Sequence, residues 1–330
     1  SADINKAVLT VTANNDAKFI TQTDTAGYAG VSFSGFVNGE TSSVVTGSAV
    51  ITRSNSGVDT AGVYSGVLAP NVSGLTASNY SFSPQTGSFT VVPANQLLVR
   101  VSSSPTTYGS TSDFSLVSAQ YLYTNNGSNT VMNLTNITKV DSNHFTVSDG
   151  VGGVASFGIA ASGATFSGSS NVNVGAYQVA PQGTVTTSGQ NFSNVITMVG
   201  TQTVVAKTIS LAGVSGVTKT YDGTTDLVGF TVGLNNVFTN DRVTATGTGQ
   251  YATKDAGTGL SYTINNLSLA GLDSQNYQFS SGSYTGTDGQ ISKAHLTVSA
   301  NPASKIYGEA NPTFAATVSG FVNGETFSSS

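Results

Sequence analysis

Short runs in which apolar and polar residues alternate with period two recur along the whole chain, separated by Gly, Asn, Ser and Asp. In the first 94 residues they are AVLTVT (7–12), VSFSGFV (31–37), SAVIT (48–52), GVYSGV (62–67), NYSF (79–82) and GSFTVV (87–92). Each run predicts a strand with one face buried and one face wet. Some seven short strands in about 90 residues are the mark of a β-sandwich. Asn38-Gly39 predicts a type I′ hairpin turn, since both residues tolerate positive φ. Tyr80, just before the penultimate strand, resembles a tyrosine corner, with its ring inward and its hydroxyl bonding backbone near the crossover.

The pattern then repeats. Residues 95–206 form a second, longer module, opening with LLVRV (97–101) and carrying YLY (121–123), HFTV (144–147) and VASF (154–157). Its Gly175-Ala176-Tyr177 and Gln190-Asn191-Phe192 loosely echo the tyrosine-bearing end of the first module. Residues 207–293 form a third, with TISL (208–211), KTYDGTT (219–225) and DSQNYQF (273–279), the last matching the NYSF of residues 79–82. Residues 294–330 begin a fourth module. ISKAHLTVSAN (291–301) aligns with INKAVLTVTAN (4–14), and SGFVNGET occurs unchanged at 34–41 and 319–326. Self-similarity at long period decides the architecture before any motif does. The expected fold class is all-β, tandem Ig-like β-sandwich modules forming an elongated rod. The segment 294–330 lacks partner strands and is expected to be partly ordered. The joints at 91–97, 204–209 and 291–296 are apolar and short, with no Gly/Ser linker, which predicts restricted hinge motion.

Composition agrees with this and closes off other classes. Ser, Thr, Asn, Gly and Val dominate, and only 8% of residues are charged, so long helices are disfavoured. The β-branched and aromatic residues in alternating runs argue against disorder. The net charge of −5, with 11 Lys+Arg spread along the chain, leaves no basic stripe for nucleic acid. No apolar run approaches the roughly 20 residues of a membrane span, so no membrane insertion is expected. No signal-peptide pattern opens the chain, which reads as an internal or mature segment. With no cysteine there is no disulfide, thiolate metal site or thiol nucleophile.

Candidate chemistry is sparse. The two histidines, His144 and His295, are unlinked, and His295 aligns with Val8 of the first copy. They support no Ser/His/Asp arrangement. The three glutamates are Glu40, Glu309 and Glu325, of which Glu40 and Glu325 are one turn position in two copies. A glycosidase needs two carboxylates flanking its substrate, and these do not supply them. The chain is therefore read as no enzyme, with no catalytic, cofactor-binding or metal-ligating residue assigned. Calcium is the one cofactor left open, through Asp222, Asp226, Asp255 and Asp273, with Asp241 isolated between Asn240 and Arg242. Against it, Asp222-Gly223 reads as a turn whose carboxylate bonds local N–H groups. Sugar binding would use exposed aromatics, for which Tyr28, Tyr121 and Tyr123 are candidates, although the favoured reading of each is a core position. Asn71, Asn133 and Asn136 begin Asn-x-Ser/Thr triplets, which a chain so rich in Asn, Ser and Thr holds by chance.

Two sets of residues carry a resemblance. KIYGEANPTF (305–314) with VSGFVNGE (318–325) closely resembles the MBG repeat, the Gly-rich module of large bacterial surface proteins. KTYDGTT (219–225), with GTG (247–249), KDAGTG (254–259) and Asn276-Tyr277, looks like the YDG module that often accompanies it. The likeness covers 207–330 well and 1–94 fairly. At 18–22 the sequence KFITQ stands where the MBG pattern has Tyr-Gly-Glu-Asn-Pro, and 95–206 keeps only Tyr108-Gly109. The resemblance implies an Ig-like stalk in a filamentous-haemagglutinin-like adhesin, exported by two-partner secretion to the outer surface of a Gram-negative cell. It implies a spacer or filament role in cell adhesion or biofilm matrix, with lateral self-association between copies. The alternative is a module that binds exopolysaccharide or host glycan, placed in 95–206 because that module is longest and most divergent.

Overall fold

The computed structural model describes residues 4–37 and 39–327. Among them no α-helix occurs, and strands are interrupted only by loops and two 3-10 turns, Ser42–Val44 and Ser274–Asn276. The chain divides into two compact units, residues 1–207 and 208–330.

The 1–207 unit holds two sandwich-like modules. In the first, a three-stranded sheet (Val31–Ser34, Ala7–Ala13, Tyr80–Gln85) faces a four-stranded one (Asp16–Phe19, Gly87–Val92, Gly62–Asn71, Val50–Arg53). Leu68, Phe89, Val91 and Ile51 of the larger sheet meet Ala13 of the smaller in one core. Arg53 is drawn into it. Its guanidinium lies 3.9 Å over the Phe89 ring and bonds Asp24, Asn55 and the Val58 carbonyl, so no charge is left unpaired. In the second module, sheets of four and six strands enclose a core of Leu97, Val99, Tyr121, Phe145, Phe157 and Phe192, with others.

One device recurs in the first three modules, including 95–206, where sequence likeness fades. The first strand crosses from one sheet to the other, and the last strand crosses beside it. Ala7–Ala13 runs parallel to Tyr80–Gln85 in one sheet, then Asp16–Phe19 runs parallel to Gly87–Val92 in the other. Leu97–Ser103 and Thr106–Thr107 do the same with Ile196–Val199 and Thr201–Val205. In the third module Lys207–Ser215 neighbours Tyr277–Phe279, and Thr218–Thr220 runs parallel to Tyr284–Ser292. Two glycines permit the crossing. A Cβ on Gly87 would lie 2.3 Å from the Ala13 carbonyl oxygen, and one on Gly200 2.4 Å from that of Val101.

The two modules of the first unit also share a core. Ala17, Phe19 and Val92 of the first pack with Leu98, Leu122 and Val199 of the second. Arg100 bonds Asp16 Oδ1 at 2.9 Å and the Ala17 carbonyl at 2.8 Å, and the Asp16 side chain is 2% exposed. Gln178 of the second module bonds the Asn15 N–H and the Asn14 side chain of the first. The run LLVRV is explained by this. Leu97, Val99 and Val101 face their own core, while Leu98 and Arg100, on the opposite face, meet the neighbouring module.

In the 208–330 unit, a three-stranded sheet (Thr231–Asn235, Lys207–Ser215, Tyr277–Phe279) packs with a five-stranded one built around Gly257–Ala270. Its core holds Tyr251, Tyr262, Ile264 and Ile291. The segment from 294 forms a two-stranded ladder, Thr297–Ala300 with Ala316–Ser319, whose residues stay largely exposed. The Asn38 half of the expected turn lies outside the described residues. Its counterpart in the second copy has the positive φ expected at both positions, 51° at Asn323 and 74° at Gly324. Among the described residues, the strands on either side of the first copy, Val31–Ser34 and Thr46–Gly47, pair with other strands and not with each other, so the turn there is a corner rather than a hairpin.

Buried tyrosines make the fold sensitive to alkali. Burial, then the Asp288 side chain that accepts its hydroxyl hydrogen, pushes Tyr262 above the ordinary phenol range, and burial does the same to Tyr251. A raised folded-state value favours the neutral phenol in the fold. Its stabilising contribution is complete below the unfolded value of about 10 and is lost as pH rises through the folded one. Tyrosinate absorbance from these rings is expected to rise only together with loss of the β-sheet circular dichroism signal above about pH 10. Complete ionisation of all 13 tyrosines with the sheet signal intact would refute this.

Candidate functional site

The most elaborate polar geometry belongs to a turn that occurs three times. At Val37–Glu40, Phe238–Asp241 and Val322–Glu325 the fourth residue's N–H closes on the first residue's carbonyl at 3.0–3.1 Å, and the fourth residue is always acidic. In the first module, Tyr80 has its ring buried and its hydroxyl accepts the Val37 N–H and donates to Glu40. In the third, Tyr277 repeats this with the Phe238 N–H at 3.0 Å and Asp241 at 2.6 Å. Each tyrosine opens an edge strand and ties it to a loop about 40 residues upstream, which fixes the corner that the chain turns there.

The third copy is bonded differently. Glu325 accepts from the hydroxyl of Tyr221, which lies 104 positions upstream in the KTYDGTT loop. Lys254 completes a chain of donors, giving a hydrogen bond to the Tyr221 oxygen at 3.0 Å and lying 3.7 Å from Glu325. Those contacts, the Tyr221 bond first, hold the Lys254 ammonium above its ordinary range. Asn323 donates to the Gly223 carbonyl at 3.1 Å. A groove of about 280 Å³ is lined by Tyr221, Asp255, Lys293, Leu296, Phe321 and Glu325.

The loop itself is tied from below. Lys219 bonds Asp222 Oδ1 at 2.8 Å and the Thr224 carbonyl at 2.9 Å. Asp222 also accepts the N–H and hydroxyl of Thr224, both at 2.9 Å. Led by the Lys219 bond, these interactions pull the Asp222 carboxyl down to about 2. Gly223 adopts φ 78°, a conformation that favours glycine, and its carbonyl accepts from Asn323.

A model of the YDG domain matches residues 205–285, and one of the MBG domain (YGX type) matches 9–90 and again 296–330. Over these residues the chain contains MBG and YDG domains. No curated protein and no solved structure gives a significant match. The signature Tyr-Asp-Gly of the YDG domain is therefore the loop that meets the MBG segment after it.

The other candidate residues fall elsewhere. Asp222 makes the turn expected of it. Asp273 accepts the Arg242 N–H, Asp255 bonds Thr253, and Asp241 holds Tyr277. Among the described residues no three His, Asp or Glu side chains group as a cation would need. Also among them, no helix is long and apolar enough to cross a membrane. His144 is exposed and bonds Asp141 at 2.9 Å through Nδ1, while His295 is exposed in the second MBG segment, as Val8 is in the first. Tyr121 is a core residue against Phe192, with ring centroids 5.3 Å apart. Tyr28 is half-buried, edge-on to Phe89 and bonded to Asp24. Only Tyr123 of these three is exposed, at 44%. Asn71, Asn133 and Asn136 are all on the surface.

The tyrosine-corner expectation divides in two. Tyr80 packs inward and takes a backbone N–H as expected, but that backbone is 43 positions away. The short-range bond to an upstream carbonyl belongs to Tyr64, onto Thr60 at 2.7 Å, and Tyr177, onto Asn173 at 2.8 Å. A glycine two positions earlier, Gly62 or Gly175, lets the ring fold back. A Cβ on Gly175 would sit 2.9 Å from the Tyr177 hydroxyl oxygen. The shared spelling Gly-x-Tyr was the available signal.

Proposed function

We propose that this chain is a repetitive stalk or filament segment of a secreted bacterial adhesin, displayed on the outer surface of a Gram-negative cell. Its role is geometric. It holds a binding element away from the cell or cross-links copies in cell adhesion or biofilm matrix, and it needs neither catalysis nor a cofactor. The observation that carries this reading is how neighbouring modules are joined. Inside 1–207 a shared apolar cluster and the Arg100–Asp16 pair bridge two modules, and inside 208–330 the Tyr221–Glu325 bond bridges two more. Packed joints resist bending where Gly/Ser linkers would not. The second reading is glycan binding by 95–206, supported by Tyr123 at 44% exposure and Phe166 at 63%.

The test is binding of the purified chain to a panel of bacterial exopolysaccharides and host glycans, with and without calcium. The stalk reading expects no saturable binding. Saturable binding that Tyr123→Ala or Phe166→Ala abolishes would replace it with the second reading.

A further inference from the structure

We propose that the Tyr-Asp-Gly loop of the YDG domain is a clamp for the domain that follows it, with Tyr221 and Gly223 gripping the Asn-Gly-Glu turn of the next MBG segment. The argument rests on comparing the two copies of SGFVNGET. Their sequences are identical, so their intrinsic turn preferences are identical too. In the first copy the glutamate accepts from Tyr80; in the second, whose position matching Tyr80 would fall past residue 330, it accepts from Tyr221 of the YDG domain. The turn thus carries a carboxylate that suits a tyrosine hydroxyl from either source, and the YDG loop supplies one.

Three features make the loop suited to this task. Lys219 and Asp222 brace it from within, so it meets the turn already shaped. The absence of a side chain at Gly223 lets Asn323 approach, since a Cβ there would lie 2.6 Å from the Asn323 Cβ. Lys254 extends the polar chain to Lys254–Tyr221–Glu325, in which each bond polarises the next. On this view the conspicuous Tyr, Asp and Gly serve one joint. Tyr reaches across, Asp fixes the loop and Gly makes room. Failure of the clamp would remove one of the two joints that support the stalk reading and leave the other, the shared core of 1–207, in place.

The experiment is hydrogen exchange on the full chain carrying Tyr221→Phe, Glu325→Ala or both. Tyr221→Phe keeps the ring that packs on the YDG core and removes only the hydroxyl. Each single change is expected to raise exchange of the amides in Thr297–Ala300 and Ala316–Ser319 by about five- to tenfold, the scale of one hydrogen bond to a charged group at a partly wet site. The double change should add little more, because both remove the same bond. Amides of Thr244–Tyr251 and Gly257–Ala270 should be unaffected. Unchanged exchange in the 294–327 segment, or fully additive effects, would overturn the clamp. Should Tyr221→Phe disturb the YDG core, Glu325→Ala decides alone, since it lies outside that core and leaves the Tyr221 hydroxyl no acceptor at that position: faster exchange supports the clamp and unchanged exchange overturns it.

Discussion

Arg100→Met is expected to lower the stability of the 1–207 unit by about 3 kcal/mol, the lower end of what breaking a buried ion pair costs, because Arg100 keeps some solvent contact. Methionine preserves the apolar stem and removes the guanidinium. Asp16, 2% exposed, then loses its cation while keeping the bond from the adjacent Ala17 N–H, and the Ala17 carbonyl loses the Arg100 donor. Adding Asp16→Asn should recover most of the loss, since an amide oxygen can still accept from Ala17 and no charge remains buried. A second consequence concerns cooperativity. Phe19, Val92, Leu98 and Leu122 belong to one cluster drawn from both modules, so residues 1–94 and 95–206 should unfold in a single step. Urea titration followed by circular dichroism checks both. A loss within about 0.5 kcal/mol, as at an ordinary surface position, or separate transitions for the two modules, would refute the shared core.

That shared core was half legible in the sequence. LLVRV shows a strand covered on both faces, because apolar residues occupy consecutive rather than alternate positions. It does not say what covers the second face, since periodicity assigns faces relative to each other and not to a neighbour. The same limit applies to YLY. Alternation puts Tyr121 and Tyr123 on one face, yet Tyr121 lies over the core and Tyr123 beyond its edge, and only the extent of the opposing sheet separates them. The strand runs, the all-β class and the turn at Asp222-Gly223 follow from local rules and were readable. The common plan of 95–206 was not. It resides in paired strand crossings near Ala13 and Val101, where Gly87 and Gly200 are the only local trace. The Tyr221–Glu325 bond had a signal, an octapeptide that occurs unchanged twice, but nothing in the octapeptide names the tyrosine that meets it.

Tyr277→Ala is expected to lower the stability of the 208–330 unit by about 4 kcal/mol, within the range for truncating a buried aromatic. The ring is 5% exposed, and its hydroxyl satisfies the Phe238 N–H and bonds Asp241. Removing it opens a cavity where Tyr277–Phe279 begins and frees the corner at Phe238–Asp241. Tyr277→Phe separates the two contributions. It keeps the ring and should cost about 1–2 kcal/mol, the loss of a hydrogen-bonded group at a largely dry site. In a calorimetric scan the transition of 208–330 should fall steeply for Tyr277→Ala while that of 1–207 stays in place, because the cores of the two units contain different residues. Tyr80→Ala, which breaks the equivalent bond to Val37 and Glu40, should do the reverse. If either change shifted both transitions equally, the units would be coupled and the division at residue 207 would not describe how the chain unfolds. If Tyr277→Ala were harmless, the tyrosine–carboxylate turn would be a surface ornament. Its recurrence in the MBG and YDG domains, with Glu in one and Asp in the other, argues instead that a hydroxyl between a turn N–H and a carboxylate is the way both domains fix the same corner.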